Sequence, residues 1–224
     1  VLLFARVPVP GRVKTRLAAR IGEAEAAAAH RACTLDAIGL AQSVRGCRRR
    51  LLLAGEESRL RNAGIVLPAG WELERQRGRD LGARLERAFA EAFRRGAEKV
   101  AAIGTDTPWM GRGRIETALE WLDGDDVVLG PSADGGYYLV GARRFLPALF
   151  RGIGWGSRMV LGGTRRALER DGVSYRLLCR DFDLDRPTDL ERARELVSRE
   201  PARAPELAAW FRRGEGAERW ASAR

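Results

Sequence analysis

Histidine occurs once, at position 30, and cysteine three times, at 33, 47 and 179, in a chain of 224 residues. A lone histidine inside an Ala-rich helical pattern supplies no nucleophilic triad, and a core or surface role is expected for His30. The cysteines are odd in number, far apart and without metal-ligand spacing, which fits reduced structural thiols. No apolar run approaches the ~18 residues of a membrane helix. Residues 1–5 are too short for the core of a signal peptide, so a cytoplasmic location and no membrane partner are expected. The chain begins with Val, and further residues of the first strand are expected upstream.

Several motifs are missing as well. No GxGxxG follows the first apolar run, which argues against a dinucleotide dehydrogenase. Two residues separate Gly11 from Lys14, whereas the Lys of a Walker A loop directly follows Gly. No helix-turn-helix, zinc-finger or aromatic RNP pattern accompanies the net charge of +10. Most of the excess Arg is interleaved with Glu on amphipathic helices (81–95, 190–199), so nucleic acid ranks below a small anionic ligand as partner. The surface charge still favours anionic substrates by long-range attraction. There is no internal repeat and no low-complexity linker.

With 45% hydrophobic and 31% charged residues, the composition is that of a globular protein. One domain over residues 1–197 is expected, followed by a helical appendage (198–224) in which Trp210, Phe211 and Trp220 are available for packing. Strands are read at 1–5, 49–54, 71–76, 99–103, 126–129, 137–140 and 173–179. Helices are read at 23–40, 81–95, 115–122, 157–170 and 190–197, with a short one within 55–64. Leu81, Leu85, Ala88, Phe89, Ala92 and Phe93 form an i, i+4, i+7, i+8 stripe read as core. Alternation of this kind predicts an α/β fold with a parallel or mostly parallel sheet covered by helices on both faces. Ligands of such folds sit outside the carboxyl ends of the strands.

Three post-strand segments stand out. Residues 4–17, FARVPVPGRVKTRL, read as a strand opening into a loop that carries Arg12, Lys14 and Arg16. Lys14 is one of only two lysines among 40 basic residues. A compact ammonium suits phosphate oxygens and Arg does not replace it freely; the competing reading is a solvated basic loop. Asp106, in GTDTP at 104–108, emerges from a buried-type strand, a costly place for a carboxylate unless a cation or donors receive it. Asp183 and Asp185 share a side if DFDLDRPTD (181–189) is extended. Converging carboxylates from separate strand ends make an all-oxygen site suited to Mg²⁺ or Mn²⁺ beside phosphates. Against this, Asp106 caps the following turn, or Asp181, Asp183 or Asp189 caps the last helix, Asp189 foremost. The fourth feature, Asp134-Gly135-Gly136-Tyr137-Tyr138, is a turn signal whose glycines admit a substrate to the backbone, with one tyrosine facing the pocket.

FARVPVPGRVKTRL, QRGRDLGARL, GTDTP, GPSADGGYYLVG and DLDRPTDL, in this order, resemble a bacterial family, domain of unknown function 2064 (DUF2064). Its members are often labelled glycosyltransferases of radical-SAM or arsenosugar gene sets. The resemblance spans residues 1–197 and implies the nucleotide-diphospho-sugar transferase superfamily. That superfamily has the GT-A fold, a three-layer α/β/α sandwich of Rossmann-like type whose mostly parallel sheet has one reversed strand. The resemblance further implies that Lys14 and Arg16, assisted by Arg12, hold nucleotide phosphates and that Gln76 and Gly82 lie near the base. It also implies metal binding by Asp106, Asp183 and Asp185, with Gly135, Gly136 and Tyr137, next to Asp134, bordering the acceptor or sugar. Arg186 and Thr188 depart from the family's usual DTPEDL form.

The expected function is metal-dependent transfer from a nucleotide or nucleotide-sugar to a small acceptor, with Lys14, Arg16 and Asp106 as the catalytic set. Nucleotidyl transfer with pyrophosphate release is weighed against glycosyl transfer, and a basic nucleic-acid-binding or regulatory module is the rival of another class.

Overall fold

The computed structural model describes residues 1–215, so Trp220 lies outside the described residues. Seven strands form one sheet: β1 (Leu2–Arg6), β2 (Arg49–Ala54), β3 (Trp71–Arg75), β4 (Val100–Ile103), β5 (Val127–Pro131), β6 (Tyr137–Ala142) and β7 (Tyr175–Leu177). The order across the sheet is β3-β2-β1-β4-β6-β5-β7. All pairs are parallel except those of β6, which runs antiparallel to both β4 and β5. The reversal follows from chain length: residues 132–136 are too few for a crossover, so β6 can only fold back on β5. The fold is therefore the three-layer α/β/α class expected, with one reversed strand.

Around the sheet lie α1 (Thr15–Ile21), α2 (Glu23–Ser43), α3 (Glu57–Asn62), α4 (Leu81–Arg94), α5 (Arg112–Trp121), α6 (Val160–Arg170), α7 (Pro187–Arg199) and α8 (Pro205–Glu215). Alternation along the central strands feeds both faces. Leu3, Leu51 and Leu53 pack with Ile38, Ala41 and Ile115 on one face. Leu2, Leu52, Val127 and Leu129 pack with Leu85, Phe89 and Leu168 on the other. The α4 stripe is core except at its start, where Leu81 is 46% exposed. Asp80 caps this helix by accepting the Ala83 N–H at 2.8 Å.

Helix α2 is Ala-rich because it is covered on more than one side. Its later residues meet the sheet, while Ala29, Ala32 and Cys33 meet a second cluster containing Leu207, Trp210 and Phe211 of α8. Several boundaries differ from the sequence reading, among them those of three helices. The basic stretch becomes helical at Thr15. Helix α6 begins at Val160 rather than 157, because residues 157–159 form a hydroxyl-bonded turn in which Ser157 Oγ donates to Gly154 O and accepts the Met159 N–H. Helix α7 begins at Pro187, whose fixed φ suits the first turn. Among the described residues no helix is long and apolar enough to cross a membrane.

Asp36, buried on α2, accepts the backbone N–H groups of Glu206 and Leu207, both at 2.9 Å, and so satisfies the open first turn of α8. Asp36→Ala is expected to cost about 1–2 kcal/mol in urea unfolding. A stability equal to that of the parent would show that α8 does not depend on this cap.

Candidate active site

A cleft of about 570 Å³ opens at the carboxyl ends of the strands. It brings together Arg16, Asp106, Asp134, Gly136, Tyr137, Asp183 and Asp185, all expected from the sequence. The other expected residues surround it in supporting positions or stand apart from it.

Lys14 is buried, its side chain 3% exposed. Its ammonium donates to Asp106 Oδ1 at 2.7 Å and to the Leu184 carbonyl at 2.5 Å. It therefore faces a protein carboxylate, not the open cleft. Lys14 is also the one non-glycine residue with positive φ (45°) among the described residues. An L-residue is strained there and stays only where its surroundings over-determine it. Burial opposes the charge of Lys14, but Asp106 outweighs it and holds the ammonium pKa above the ordinary lysine value. In turn, desolvation would raise the carboxyl of Asp106, whose side chain is still half-exposed, yet Lys14 holds it below the usual range. Asp106 does not cap the turn at Pro108; its backbone carbonyl accepts the Leu184 N–H.

The acidic segment is bent, with the Asp185 N–H donating to the Asp183 carbonyl at 3.1 Å. The two carboxylates both border the cleft but take different partners. Asp183 accepts the hydroxyls of Thr107 and Ser132, both at 2.6 Å. Burial, reinforced by the neighbouring charge of Asp106, pushes its pKa up to about 6 despite those hydroxyls. Asp185 pairs with Arg16 at 2.7 Å on the surface. Asp181 is buried and structural, receiving Trp109 Nε1 and Arg114. Asp189 takes the N–H groups of Asp185 and Arg186 at the start of α7, the capping role read as its alternative.

On the other side, Tyr137 and Tyr138 both border the cleft, but neither hydroxyl is free to reach a ligand. Tyr138 donates to the Cys179 carbonyl at 2.9 Å, and the Tyr137 hydroxyl is buried beside Thr164. Gly135 (φ +93°) is required: a Cβ there would lie 2.1 Å from the Arg158 carbonyl oxygen. At Gly82 a Cβ would lie 2.0 Å from Trp155 Nε1, so the glycine seats the indole at the cleft edge. Gln76 donates to the carbonyls of Ala5 and Leu52, tying β1 to β2. Arg12 is exposed before α1 and does not line the cleft.

The donor set suits a hard divalent cation in part. Asp106 Oδ2 accepts no hydrogen bond among the described residues, and the nearby Asp183 carboxylate is costly to ionise without a positive partner. Mg²⁺ takes one or two carboxylates together with substrate phosphates. A third carboxylate is not in place: among the described residues no group of three or more His, Cys, Asp or Glu is arranged to hold an ion, and Asp185 is occupied by Arg16.

Sequence reasoning missed Ser132 and Thr107, hydroxyls inside motifs it had singled out, and Trp155 and Arg158, which belong to no motif it used. It also read His30 apart from the site, although His30 Nδ1 lies 4.0 Å from Asp106 Oδ1. Only their spacing in three dimensions gives these residues a role.

No curated protein matches the chain. Among solved structures, it is similar to a candidate nucleotide-diphospho-sugar transferase from Desulfovibrio desulfuricans G20, at 29% identity and TM-score 0.88, over 96% of this chain and 94% of that one. At the level of fold alone it is similar to CMP:2-keto-3-deoxy-manno-octonic acid synthetase complexed with CTP (14% identity, TM-score 0.54, 89% and 98% covered). The same holds for Rv0371c of Mycobacterium tuberculosis H37Rv in complex with manganese (16%, 0.52, 82% and 90%). A family model described as an uncharacterized protein conserved in bacteria matches residues 36–157, more than half of the length. The chain therefore belongs to the DUF2064 family and has the fold of the nucleotide-diphospho-sugar transferases.

Proposed function

We propose that this protein is a transferase acting on a nucleotide donor, with a divalent cation held by Asp106 and Asp183 and donor phosphates met by Arg16. The observation that carries this reading is the pair of interacting carboxylates in a cleft that also carries arginines, at the carboxyl ends of the strands. Lys14 serves the phosphates through Asp106. Gln76 and Gly82 shape the base side, Gln76 by joining two strand ends and Gly82 by seating Trp155. Asp134, Gly135, Gly136 and Tyr137 form the acceptor wall, where the glycine backbone allows close approach. The catalytic unit is residues 1–197, braced by α8.

Nucleotidyl transfer is the first reading: a nucleoside triphosphate brings more negative charge for arginine and a bound cation to offset than a diphosphate-sugar does. An acceptor phosphate or carboxylate oxygen attacks the α-phosphorus, the bond to the bridging oxygen breaks, and pyrophosphate leaves with the electron pair. Such an acceptor arrives deprotonated, so no general base is required of the protein. A bound Mg²⁺ or Mn²⁺ would neutralise phosphate charge and stabilise the leaving group. Glycosyl transfer is the second reading, supported by the description of the Desulfovibrio protein. There an acceptor hydroxyl oxygen attacks the anomeric carbon and loses its proton to solvent, the bond from that carbon to the phosphate oxygen breaks, and a nucleoside diphosphate leaves with the electron pair.

Incubation with each nucleoside triphosphate, Mg²⁺ and phosphate- or carboxylate-bearing acceptors is expected to release pyrophosphate. Release of nucleoside diphosphate only, and only from a nucleotide-sugar, would favour the second reading. Asp106→Asn should abolish the Mg²⁺-dependent thermal shift by nucleotides. Salt-sensitive oligonucleotide binding that survives this substitution, without such a shift, would instead mark a nucleic-acid module.

The raised pKa of Asp183 sets a pH dependence. Its contribution to stability is fully present below the unfolded value near 3.8 and is lost as pH rises through about 6, where the buried carboxylate ionises. Without divalent cations, Asp183→Asn should therefore be more stable than the parent at pH 8, by roughly 1–3 kcal/mol. The gap should close by pH 4, while cation-dependent nucleotide binding is lost. Parallel stability curves from pH 4 to 8 would contradict the assignment.

A further inference from the structure

Around Lys14 one donor and one acceptor are left without partners. An ammonium has three N–H donors. Two of those of Lys14 go to Asp106 Oδ1 and the Leu184 carbonyl; the third meets no acceptor among the described residues. His30, the only histidine in the chain, is buried on α2 with Nε2 3.2 Å from the Arg6 carbonyl. A carbonyl only accepts, so Nε2 carries the proton, and in the neutral ring Nδ1 is a bare acceptor. Burial lowers the imidazole pKa to about 4, with Asp106 opposing and Lys14 reinforcing the shift, so the ring is neutral in ordinary buffers.

Nδ1 is buried with no hydrogen-bond partner, 4.0 Å from the same Asp106 oxygen that Lys14 touches. Asp106 is itself an acceptor and supplies no proton to Nδ1, and an unmet polar group that is buried, as Nδ1 is, is costly. The Lys14 ammonium, close enough for its charge to act on the ring, holds the unmet donor.

We propose that His30 is a positioning residue whose Nδ1 accepts the third N–H of Lys14 and locks the ammonium on Asp106. With all three N–H groups committed to the protein, Lys14 is an internal counter-ion that keeps Asp106 ionised and oriented, and the phosphates are left to arginine. The hydrogen bond stands independently of the proposed function. Its consequence for cation binding rests on the reading of Asp106 as a metal carboxylate.

Composition makes the test clean. Protein labelled with ¹⁵N-lysine and ¹⁵N-histidine carries only Lys14, Lys99 and one imidazole as side-chain reporters. The expected result is an unprotonated His30 Nδ1 with the shift of a hydrogen-bonded nitrogen, a correlation from Nδ1 to slowly exchanging Lys14 ammonium protons, and loss of both in folded Lys14→Met. A parent spectrum with Nδ1 protonated, or with no such correlation, overturns the proposal.

A second arm uses Mn²⁺ alone as probe. Asn places its carbonyl oxygen near the position of Nδ1, whereas Gln places its amide near Nε2. His30→Asn should therefore keep Mn²⁺ affinity near that of the parent, and His30→Gln should lose about tenfold at a similar thermal midpoint. The reverse order, or equal affinities, overturns the positioning role. A parent that binds no Mn²⁺ sinks the metal reading of Asp106, and the spectra then still decide the hydrogen bond.

Discussion

The contact between the Lys14 ammonium and the Asp106 carboxylate is the constraint on which the site depends. A buried ammonium is tolerated only with excellent partners, because its hydration is lost and must be replaced by charge and hydrogen bonds. Lys14 finds both at one point where three stretches of chain cross. Its Nζ meets Asp106 and the carbonyl of Leu184, while the Leu184 N–H donates back to the Asp106 carbonyl at 2.9 Å. The loop after β1, the turn after β4 and the acidic segment before α7 are thereby joined through backbone as well as side chain. The left-handed backbone of Lys14, which on its own disfavours an L-residue by about 1–2 kcal/mol, is held by this crossing.

The acidic segment shows how environment divides like residues among unlike tasks. Asp181 is sealed against Trp109 and Arg114, Asp189 closes the first turn of α7, and Asp185 meets Arg16 in solvent. Asp183 has only hydroxyl partners, beside another carboxylate. It is the member of the group whose charge is uncompensated, and an uncompensated buried charge in a cleft is a recurring mark of function. The glycines act by subtraction: Gly82 and Gly135 let Trp155 and the Arg158 backbone approach where any side chain would block them.

Much of this was legible beforehand. The strand at Arg49–Ala54 and the capped helix at Leu81–Arg94 follow from period and punctuation. Post-strand placement pointed to Arg16, Asp106 and the Asp134 turn. The reversed strand came only with the family resemblance; the alternation of elements did not identify it, and the structure shows it as a hairpin closed by the short turn before Tyr137. What local pattern did not disclose is direction. Whether Lys14 points out to phosphate or in to Asp106, and which partners Asp183 and Asp185 take, depends on a bend and a left-handed residue that residue type does not announce.

The sequence by itself determined the class of fold, the strand ends that carry polar residues, and the all-oxygen, cation-rich chemistry available there. These depend on periodicity and residue type, which are local properties. Tertiary structure alone decided partnership: His30 behind Asp106, Ser132 and Thr107 on Asp183, Arg16 on Asp185, and α8 on Asp36. Each pair is far apart in the chain and meets because the sheet and its helices fix the backbone. A buried charge must then take whichever partner that backbone brings within reach.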